Sequence, residues 1–300
     1  MQLYVDSANI ADIRHAASLG IISGVTTNPS LLAKEDPSLD IRSLILDIHK
    51  TVGGHLSVEV VSTDTDGMLR EADEILSWFP DATIKIPMIP AGLAAVKALS
   101  RQEIPTNVTL IFSAAQALAA NNAGATYVSL FLGRLDDVAT DGLQAVEDTC
   151  EIWDVHGLES QIIAASIRHP IHVLHCAKAG AHIATVPYKV LLQMIKHPLT
   201  DSGLQSFLND YEKMKTKIIN KYEGLESAES QEENSINLEN INLTESEKDK
   251  VRKLSTNLQN GEAITFHQVN KKIEIMSLKQ CDEWKKLYGE NILKILVKKE

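Results

Sequence analysis

The sequence predicts an α/β protein, a (β/α)8 TIM barrel with a helical C-terminal extension. Between Met1 and Tyr222, short apolar runs alternate with longer stretches of helical periodicity, which is typical of a parallel sheet whose strands are joined by helices. Eight such runs are enough to close a barrel. The length of 300 residues would also accommodate two smaller domains, so the repeat decides the fold class.

The eight predicted strands are short apolar runs, each ending at a turn or capping residue. In chain order they are Gln2–Asp6, Gly24–Asn28, His55–Val60, Thr83–Pro87, Thr106–Ile111, Tyr127–Phe131, Gln161–Ser166 and His182–Val186. The intervening helices carry apolar residues at helical spacing, such as Leu69, Ala72 and Ile75, and one helix follows Pro90, a favoured first-turn residue. An open doubly wound sheet is the alternative, but no GxGxxG motif follows the first strand.

The composition changes after Tyr222, so we assign the barrel to residues 1–223. Residues 224–243 are rich in Glu, Ser and Asn and predict an acidic, polar linker. Residues 244–300 predict a small helical extension of unknown role. There, Thr244–Glu247 resembles a capping box for a helix that ends near Gly261, and Ser277–Gln280 would cap another that ends near Gly289.

The charge and composition argue against several classes of protein. A net charge of -11 and a pI near 5.4 disfavour a nucleic-acid partner, because such binding needs clustered Lys and Arg. No apolar run reaches the length of about 18 residues that a membrane span requires, and the N-terminus lacks the pattern of a signal peptide. We therefore expect a cytoplasmic protein without a membrane partner.

No metal site is expected from the sequence. The three cysteines, Cys150, Cys176 and Cys281, lack the CxxC spacing of zinc or redox motifs. His169, His172 and His175 are spaced like neighbours on one helix, which could hold a metal ion. No carboxylate or cysteine with ligand spacing joins them, so capping and surface roles are the preferred interpretation.

Polar residues gather on one side of the predicted strands. Side chains alternate along a strand, so the apolar Ile84 and Ile86 face the helices and leave Lys85 facing the barrel interior. The same alternation turns other side chains inward: Tyr4, Asp6, Thr26, Glu59, Asn107, Thr109, Ser129, Phe131 and Ser166. Nearly all of them lie in the C-terminal halves of their strands, where barrel enzymes place their chemistry.

Lys85 is the candidate nucleophile. Burying a charged lysine is costly, which favours a neutral amine able to attack a carbonyl group. The alternative is a structural ion pair between Lys85 and Glu59 or Asp6. Because several polar groups need partners at the same end of the barrel, a catalytic site is the preferred interpretation.

Arg134, Ser166 and Arg168 predict a phosphate anchor. Ser166 ends the predicted seventh strand and Arg168 follows it, and Arg134 follows the sixth strand. Guanidinium groups bind phosphate through two hydrogen bonds, and phosphate sites of barrels commonly lie near the last strands. The alternative is that each arginine pairs with a nearby aspartate, such as Asp136 or Asp137.

Five motifs resemble those of the transaldolase family. They are Val5–Ala8, Gly24–Ser30, Ile84–Pro87, Asn107–Ser113 and Ala164–Arg168. The resemblance covers roughly Met1 to Tyr222 and is closest to the short bacterial branch that also contains fructose 6-phosphate aldolase. The chain beyond Gly224 departs from that branch.

The resemblance implies a role for each candidate residue. Lys85 would form the Schiff base, Asp6 would handle the proton of the C4 hydroxyl, and Glu59 and Thr109 would hold a catalytic water. The residues that would bind the three-carbon unit are Thr26, Asn28, Asn107 and Ser129, with Phe131 in the same pocket, and those that would bind phosphate are Arg134, Ser166 and Arg168. No cofactor and no metal are implied.

The implied reaction is transfer of a dihydroxyacetone unit in the non-oxidative pentose phosphate pathway. The donor would be sedoheptulose 7-phosphate or fructose 6-phosphate, and the acceptor erythrose 4-phosphate or glyceraldehyde 3-phosphate. Two alternatives stay open: a fructose 6-phosphate aldolase that releases free dihydroxyacetone, and a non-catalytic barrel that acts as a binding or assembly protein. The resemblance also implies a homo-oligomer, a pentamer or decamer, with the helix around Leu204 to Ile219 contacting a neighbour.

Overall fold

The computed structural model describes residues 1–229, 264–269 and 272–277. Eight parallel strands, β1 to β8, form a closed barrel in sequence order, which confirms the predicted fold class. The strands are β1 Gln2–Asp6, β2 Gly24–Thr26, β3 His55–Glu59, β4 Thr83–Pro87, β5 Thr106–Ile111, β6 Tyr127–Phe131, β7 Gln161–Ala165 and β8 Ile183–Pro187.

Four strands have the predicted bounds, and the other four differ by one or two residues. Strand β2 ends at Thr26 because Asn28 caps the helix that follows, its side chain accepting a hydrogen bond from the Leu31 amide. Strand β7 ends before Ser166, whose φ of 61° is incompatible with an extended strand. Both differences arise at residues that line the barrel mouth.

Eleven helices lie in the described part of the chain up to Glu229. They are α1 Ile10–Ser18, α2 Pro29–Leu32, α3 Ile41–Val52, α4 Thr65–Trp78, α5 Pro90–Ser100, α6 Ala114–Ala123, α7 Leu132–Asp136, α8 Gly142–His156, α9 Pro170–Ala179, α10 Tyr188–Ile195 and α11 Pro198–Glu229. Side chains of Asp40, Asp64, Ser113 and Asp141 accept hydrogen bonds from the first turns of α3, α4, α6 and α8, which explains where these helices begin. None of these helices is long and apolar enough to cross a membrane.

The main hydrophobic core lies between the barrel and its helices. Val5, Ile84, Ile86 and Val108 point outward from their strands and are fully buried there. Burial of each such side chain stabilises the fold by about 1.5–3 kcal/mol. This core leaves the inward positions of the strands free for polar residues.

A buried aromatic layer fills the barrel interior at the start of the strands. His55 stacks on Tyr4 with ring centroids 4.9 Å apart and meets Tyr127 edge-on at 4.6 Å. A side chain at Gly24 would lie 2.8 Å from the Tyr4 ring, so glycine makes room for this layer. Burial lowers the pKa of His55 from 6.5 to about 4. The layer closes the bottom of the barrel beneath the polar residues.

We expect this histidine to make the barrel less stable in acid. Because the pKa of His55 is lower in the folded chain, the unfolded chain binds more protons between about pH 6.5 and 4. The stabilisation is fully present above about pH 6.5 and is lost as the pH falls through that window. Urea unfolding at about pH 7 and 5 should show that the parent loses about 2 kcal/mol more than His55→Phe. An equal loss of unfolding free energy in the parent and in His55→Phe would contradict the lowered pKa of His55.

The chain divides into two compact units within α11, between Ser206 and Phe207. The boundary predicted near Gly224 also lies inside this helix, so the predicted acidic linker begins with helical residues 224–229. Leu, Glu and Ala are good helix formers and explain this continuation. The rest of the linker lies outside the described residues.

The described part of the extension is a β-hairpin and not a helix. Strands β9 Ile264–Val269 and β10 Lys272–Ser277 pair antiparallel, with Val269 opposite Lys272. The expectation of a helical extension is therefore wrong for these residues, because apolar residues alternate with polar ones over residues 264–267 and 272–275. The two helices predicted after Thr244 and Ser277 lie outside the described residues.

Candidate active site

A pocket opens at the carboxyl ends of the barrel strands. Nine of the twelve candidate residues line it: Asp6, Thr26, Asn28, Lys85, Ser129, Phe131, Arg134, Ser166 and Arg168. The other three, Glu59, Asn107 and Thr109, belong to the adjoining strands β3 and β5. Six of the ten inward positions inferred from strand alternation therefore line one pocket.

Lys85 lies at the buried side of this pocket with only 4% of its surface exposed. Its Nζ donates a hydrogen bond to the Thr27 carbonyl at 2.9 Å and lies 2.9 Å from Glu59 Oε2. The contact with Glu59 is an ion pair that lacks the angles of a hydrogen bond. Glu59 Oε2 therefore has no hydrogen-bond partner among the described residues, although it is buried. The ion pair considered as an alternative is thus present, yet Lys85 still reaches the pocket.

Strand register explains why Lys85 and Glu59 meet. Glu59 on β3, Lys85 on β4 and Asn107 on β5 are direct neighbours across the sheet. Residues in one register row of a barrel share an interior layer. The carboxylate of Glu59, the amine of Lys85 and the amide of Asn107 therefore lie side by side on one wall of the barrel interior.

Asp6 is the last residue of β1, three strands away from the β4 strand of Lys85 in the barrel order. The Thr26 hydroxyl donates to Asp6 Oδ1 at 2.9 Å and lies 2.5 Å from the Thr185 hydroxyl. Burial raises the pKa of the Asp6 carboxyl above its ordinary value, although the Lys85 ammonium and the Thr26 hydrogen bond act in the opposite direction. A carboxyl group with a raised pKa is suited to exchange a proton with a bound ligand.

Asn107 is fully buried, and its amide is held by two serine side chains. Its Oδ1 accepts a hydrogen bond from Ser129 Oγ at 2.7 Å, and its Nδ2 donates to Ser57 Oγ at 3.0 Å. Ser57 Oγ lies 2.7 Å from His55 Nε2, which connects the site to the aromatic layer. Ser129 therefore faces the pocket, and Asn107 supports it from the wall.

Thr109 lies in a distorted part of β5. The register between β5 and β6 shifts between Val108 and Ile111, and Leu110 has a φ of 61°, which is rare for a residue other than glycine. Thr109 Oγ1 is buried and has no hydrogen-bond partner in the described part of the chain. A buried hydroxyl without a partner is costly, so this atom is a candidate to bind a small polar molecule.

The two arginines have different surroundings. Arg168 Nη2 lies 2.6 Å from Asp137 Oδ2, and both side chains are about half exposed. The aspartate pairing considered for Arg168 is therefore present. Arg134 Cζ lies over the Phe131 ring, 5.1 Å from its centroid, a cation–π geometry. Both guanidinium groups line the pocket beside Ser166.

Several pocket residues were not identified from the sequence. Lys34, Ser30 and Thr185 also line the pocket. Lys34 follows the short helix α2, in the loop after β2, and its place in a βα loop was the available signal. It adds a cation that the residue pattern alone did not assign to the site.

The three histidines do not form a metal site. Among the described residues, no group of three or more His, Cys, Asp or Glu side chains is arranged to hold a metal ion. His175 is exposed, and His169 occupies the N-cap of α9 without making a capping hydrogen bond. His172 instead contacts Asp136.

The fold and the pocket place the chain among (β/α)8-barrel proteins that carry a buried, carboxylate-paired lysine at the mouth of the barrel. The chain belongs to the family described as Transaldolase/Fructose-6-phosphate aldolase, whose model matches residues 3–262. It is therefore an enzyme of the transaldolase/aldolase family, and membership implies sugar phosphate substrates.

Three bacterial relatives, each named a probable transaldolase, show the extent of the similarity. The chain is 55% identical over 217 residues to the protein of Heliobacterium modesticaldum, which covers 72% of this chain and 100% of the relative. It is 56% identical over 218 residues to that of a Thermoanaerobacter species, covering 73% and 100%. With the Geobacillus kaustophilus protein, the identity is 55% over 215 residues, covering 72% and 100%.

Proposed function

We propose that this chain is a transaldolase that uses Lys85 as a Schiff-base nucleophile. It transfers a dihydroxyacetone unit from sedoheptulose 7-phosphate or fructose 6-phosphate to an aldose phosphate such as erythrose 4-phosphate or glyceraldehyde 3-phosphate. The observation that carries the proposal is the buried Lys85 amine, which lies 2.9 Å from the Glu59 carboxylate and lines a pocket shared with Asp6. The reaction belongs to the non-oxidative pentose phosphate pathway in the cytoplasm, where sugar phosphates are available.

The covalent chemistry begins at the ketose carbonyl. Lys85 Nζ adds to C2, the carbonyl oxygen leaves as water, and an iminium forms. Asp6 then accepts the proton of the C4 hydroxyl, and the electron pair of the C3–C4 bond moves into the iminium as the bond breaks. The raised pKa of Asp6 favours this role, because a carboxylate that binds a proton readily is the better base.

Glu59 and Thr109 assist the proton transfers. Formation and hydrolysis of the imine require protons to be added to and removed from oxygen and nitrogen at C2. Thr109 Oγ1 is buried without a hydrogen-bond partner in the described part of the chain, and we assign to it and to Glu59 a shared water molecule. The 2.9 Å distance between Glu59 Oε2 and Lys85 Nζ supports this role, because a water bound to Glu59 would be close to the nitrogen that attacks C2.

The remaining pocket residues bind the sugar. Thr26, Asn28 and Ser129 contact the hydroxyls of the three-carbon unit, with Asn107 orienting Ser129. The phosphate binds to the guanidinium groups of Arg134 and Arg168 and to the hydroxyl of Ser166. Arg168 exchanges Asp137 for the phosphate, which is inexpensive because an exposed ion pair stabilises by only about 0–1 kcal/mol.

Transfer, and not release of free dihydroxyacetone, is the proposed outcome. Phe131 lines the pocket, and its ring contacts both the Phe112 ring and the Arg134 guanidinium. A phenyl ring excludes water and offers no donor to the enamine carbon, so the enamine persists until an acceptor aldehyde arrives. A coupled assay tests this by comparing sedoheptulose 7-phosphate formation with dihydroxyacetone release. Release in excess of transfer would identify an aldolase instead.

Replacing Phe131 with tyrosine should raise the ratio of released dihydroxyacetone to transferred ketose. The added hydroxyl is a proton donor near the water held by Glu59 and Thr109, so protonation of the enamine becomes faster. Product analysis at a fixed acceptor concentration measures the ratio, and Phe112→Tyr serves as the matched control because Phe112 is outside the pocket lining. An unchanged ratio with a lower melting temperature would leave Phe131 a packing role only.

A homo-oligomer is proposed from the exposed face of α11. Large apolar residues three or four apart are exposed along this helix: Leu204, Phe207, Leu208, Tyr211, Met214 and Ile218. Such a stripe is unfavourable in water, and we assign a second copy of the chain to cover it, in a pentamer or decamer. Analytical ultracentrifugation should show that Phe207→Glu dissociates the assembly, whereas Val155→Glu, an exposed apolar control on α8, does not. A monomeric parent protein would contradict the assignment.

A further inference from the structure

His172 connects the two segments that carry the pocket arginines. The backbone amide of Arg168 donates to His172 Nδ1 at 3.3 Å. On its other side, His172 Nε2 lies 3.1 Å from Asp136 Oδ2, on the helix α7 that also carries Arg134. One imidazole ring therefore bridges the end of β7 and the end of α7.

These contacts define the protonation of the ring. Because Nδ1 accepts a hydrogen bond, the proton of the neutral imidazole is on Nε2, which lies 3.1 Å from Asp136 Oδ2. Burial lowers the pKa of His172, and His169, whose ring centroid is 3.8 Å away, acts in the same direction. Asp136 opposes this effect, and Arg168 and His175 add to it. The neutral ring can serve as acceptor and donor at once.

Asp136 in turn is tied to the next helix. Its Oδ1 accepts a hydrogen bond from the Gly142 amide at 3.0 Å, at the start of α8. Both carboxylate oxygens thus have partners, and Asp136 has a defined position. The bridge through His172 is therefore anchored at both ends by backbone groups, the amides of Arg168 and Gly142.

The segment that the bridge holds is strained. Ser166 has a φ of 61°, a conformation that is rare for a serine and persists only where its surroundings enforce it. On one side, Gly133 packs so closely that a Cβ there would lie 1.9 Å from the Ser166 carbonyl oxygen and 2.9 Å from Arg168 Cγ. The bond from Arg168 to His172 holds the same segment two residues further on.

We propose that His172 is a positioning residue for phosphate, which keeps Arg134 and Arg168 at the separation needed to bind one phosphate group together. The inference rests on the proposed function, because it requires that the two arginines bind phosphate. His172 itself does not line the pocket, so it acts through the backbone of Arg168 and through helix α7. Without the bridge, each arginine still carries its charge, but the pair loses its fixed geometry.

The experiment compares substitutions that keep or remove the bridge. His172→Gln retains an acceptor and a donor, whereas His172→Phe and the smaller His172→Leu remove both. His175→Phe is the matched control, because His175 is exposed on the same helix. Each variant is assayed with fructose 6-phosphate and with unphosphorylated fructose as donor, and its melting temperature is recorded.

We expect His172→Phe and His172→Leu to raise KM for fructose 6-phosphate about 3- to 10-fold, the range of one or two lost hydrogen bonds. The loss in kcat/KM should be several-fold larger for the phosphorylated donor, and His172→Gln should restore most of it. His175→Phe should match the parent. Equal losses on both donors, or a glutamine variant as impaired as phenylalanine, would overturn the proposal and leave His172 a structural role.

Arg168→Ala in the same assay separates this inference from the proposed function. If Arg168→Ala fails to discriminate between the two donors, the phosphate site itself is wrong. If Arg168→Ala discriminates and both His172→Phe and His172→Leu resemble the parent, the site stands and the positioning role of His172 is wrong.

Discussion

Replacing Lys85 with arginine should lower transfer turnover by about 10³-fold or more while the barrel remains folded. A guanidinium keeps the positive charge beside Glu59 but cannot form an imine, so covalent catalysis is lost. Lys85→Ala should be equally inactive and also less stable, because it leaves the Glu59 carboxylate buried without its cation, which costs about 3–5 kcal/mol. Steady-state transfer assays and thermal unfolding measure the two effects separately.

The arginine variant distinguishes the nucleophile from a structural ion pair. If Lys85 served only to neutralise Glu59, Lys85→Arg would keep most of the activity and only Lys85→Ala would be impaired. Lys97→Ala is the matched control, because Lys97 is exposed on α5 away from the pocket lining. An active Lys85→Arg enzyme would contradict the proposed mechanism.

Replacing Arg168 with alanine should raise KM for phosphorylated substrates by about 10- to 100-fold. A charge-assisted hydrogen bond to phosphate is worth about 1.5–3 kcal/mol, which corresponds to this range. Asp137→Asn should have the opposite effect and lower KM by up to several-fold. Asp137 Oδ2 lies 2.6 Å from Arg168 Nη2 and competes with the substrate phosphate for this guanidinium. Steady-state kinetics with fructose 6-phosphate measure both.

The opposite signs make this pair of variants informative. If Arg168 and Asp137 only stabilised the loops that carry them, both substitutions would lower the melting temperature and change KM alike. A KM that rises equally in both variants would therefore move Arg168 out of the phosphate site. Unphosphorylated donors supply the control, since they have no group for Arg168 to bind.

The positions of the strands and of Lys85 could be predicted because they follow from local patterns. Strand alternation requires only that Ile84 and Ile86 face the helices, and both are fully buried there. Glu59 on β3 and Asp6 on β1 follow from the same rule. Where one side of a strand is apolar and the other polar, the period of two settles which side chains enter the barrel.

Other features of the site depend on contacts between distant segments and could not be predicted. The positive φ values of Leu110 and Ser166 are enforced by packing, such as the approach of Gly133 to Ser166. Neither residue is a glycine, so the residue types do not indicate this backbone conformation. Asn107 was expected in the pocket, but Ser129 and Ser57 take both ends of its amide. The bridge from Arg168 through His172 to Asp136 likewise joins residues from three elements.

The β9–β10 hairpin is a different case, because its signal was present in the sequence. Apolar residues alternate with polar ones over residues 264–267 and 272–275, and only two residues separate Val269 from Lys272. The capping motifs at Thr244 and Ser277 favoured helices on either side, and the period-two pattern between them was missed. A short segment with a period of two predicts a strand even where helix-capping motifs lie on either side of it.

The proposed Schiff base can be tested most directly by trapping it. The protein is incubated with fructose 6-phosphate, reduced with borohydride, digested, and analysed by mass spectrometry for a dihydroxyacetone adduct. Reduction converts the imine into a stable secondary amine, so the adduct should be found on the peptide that contains Lys85 and be absent from Lys85→Arg. An adduct on another lysine, such as Lys34 in the same pocket, or active transfer without any adduct, would contradict the central claim.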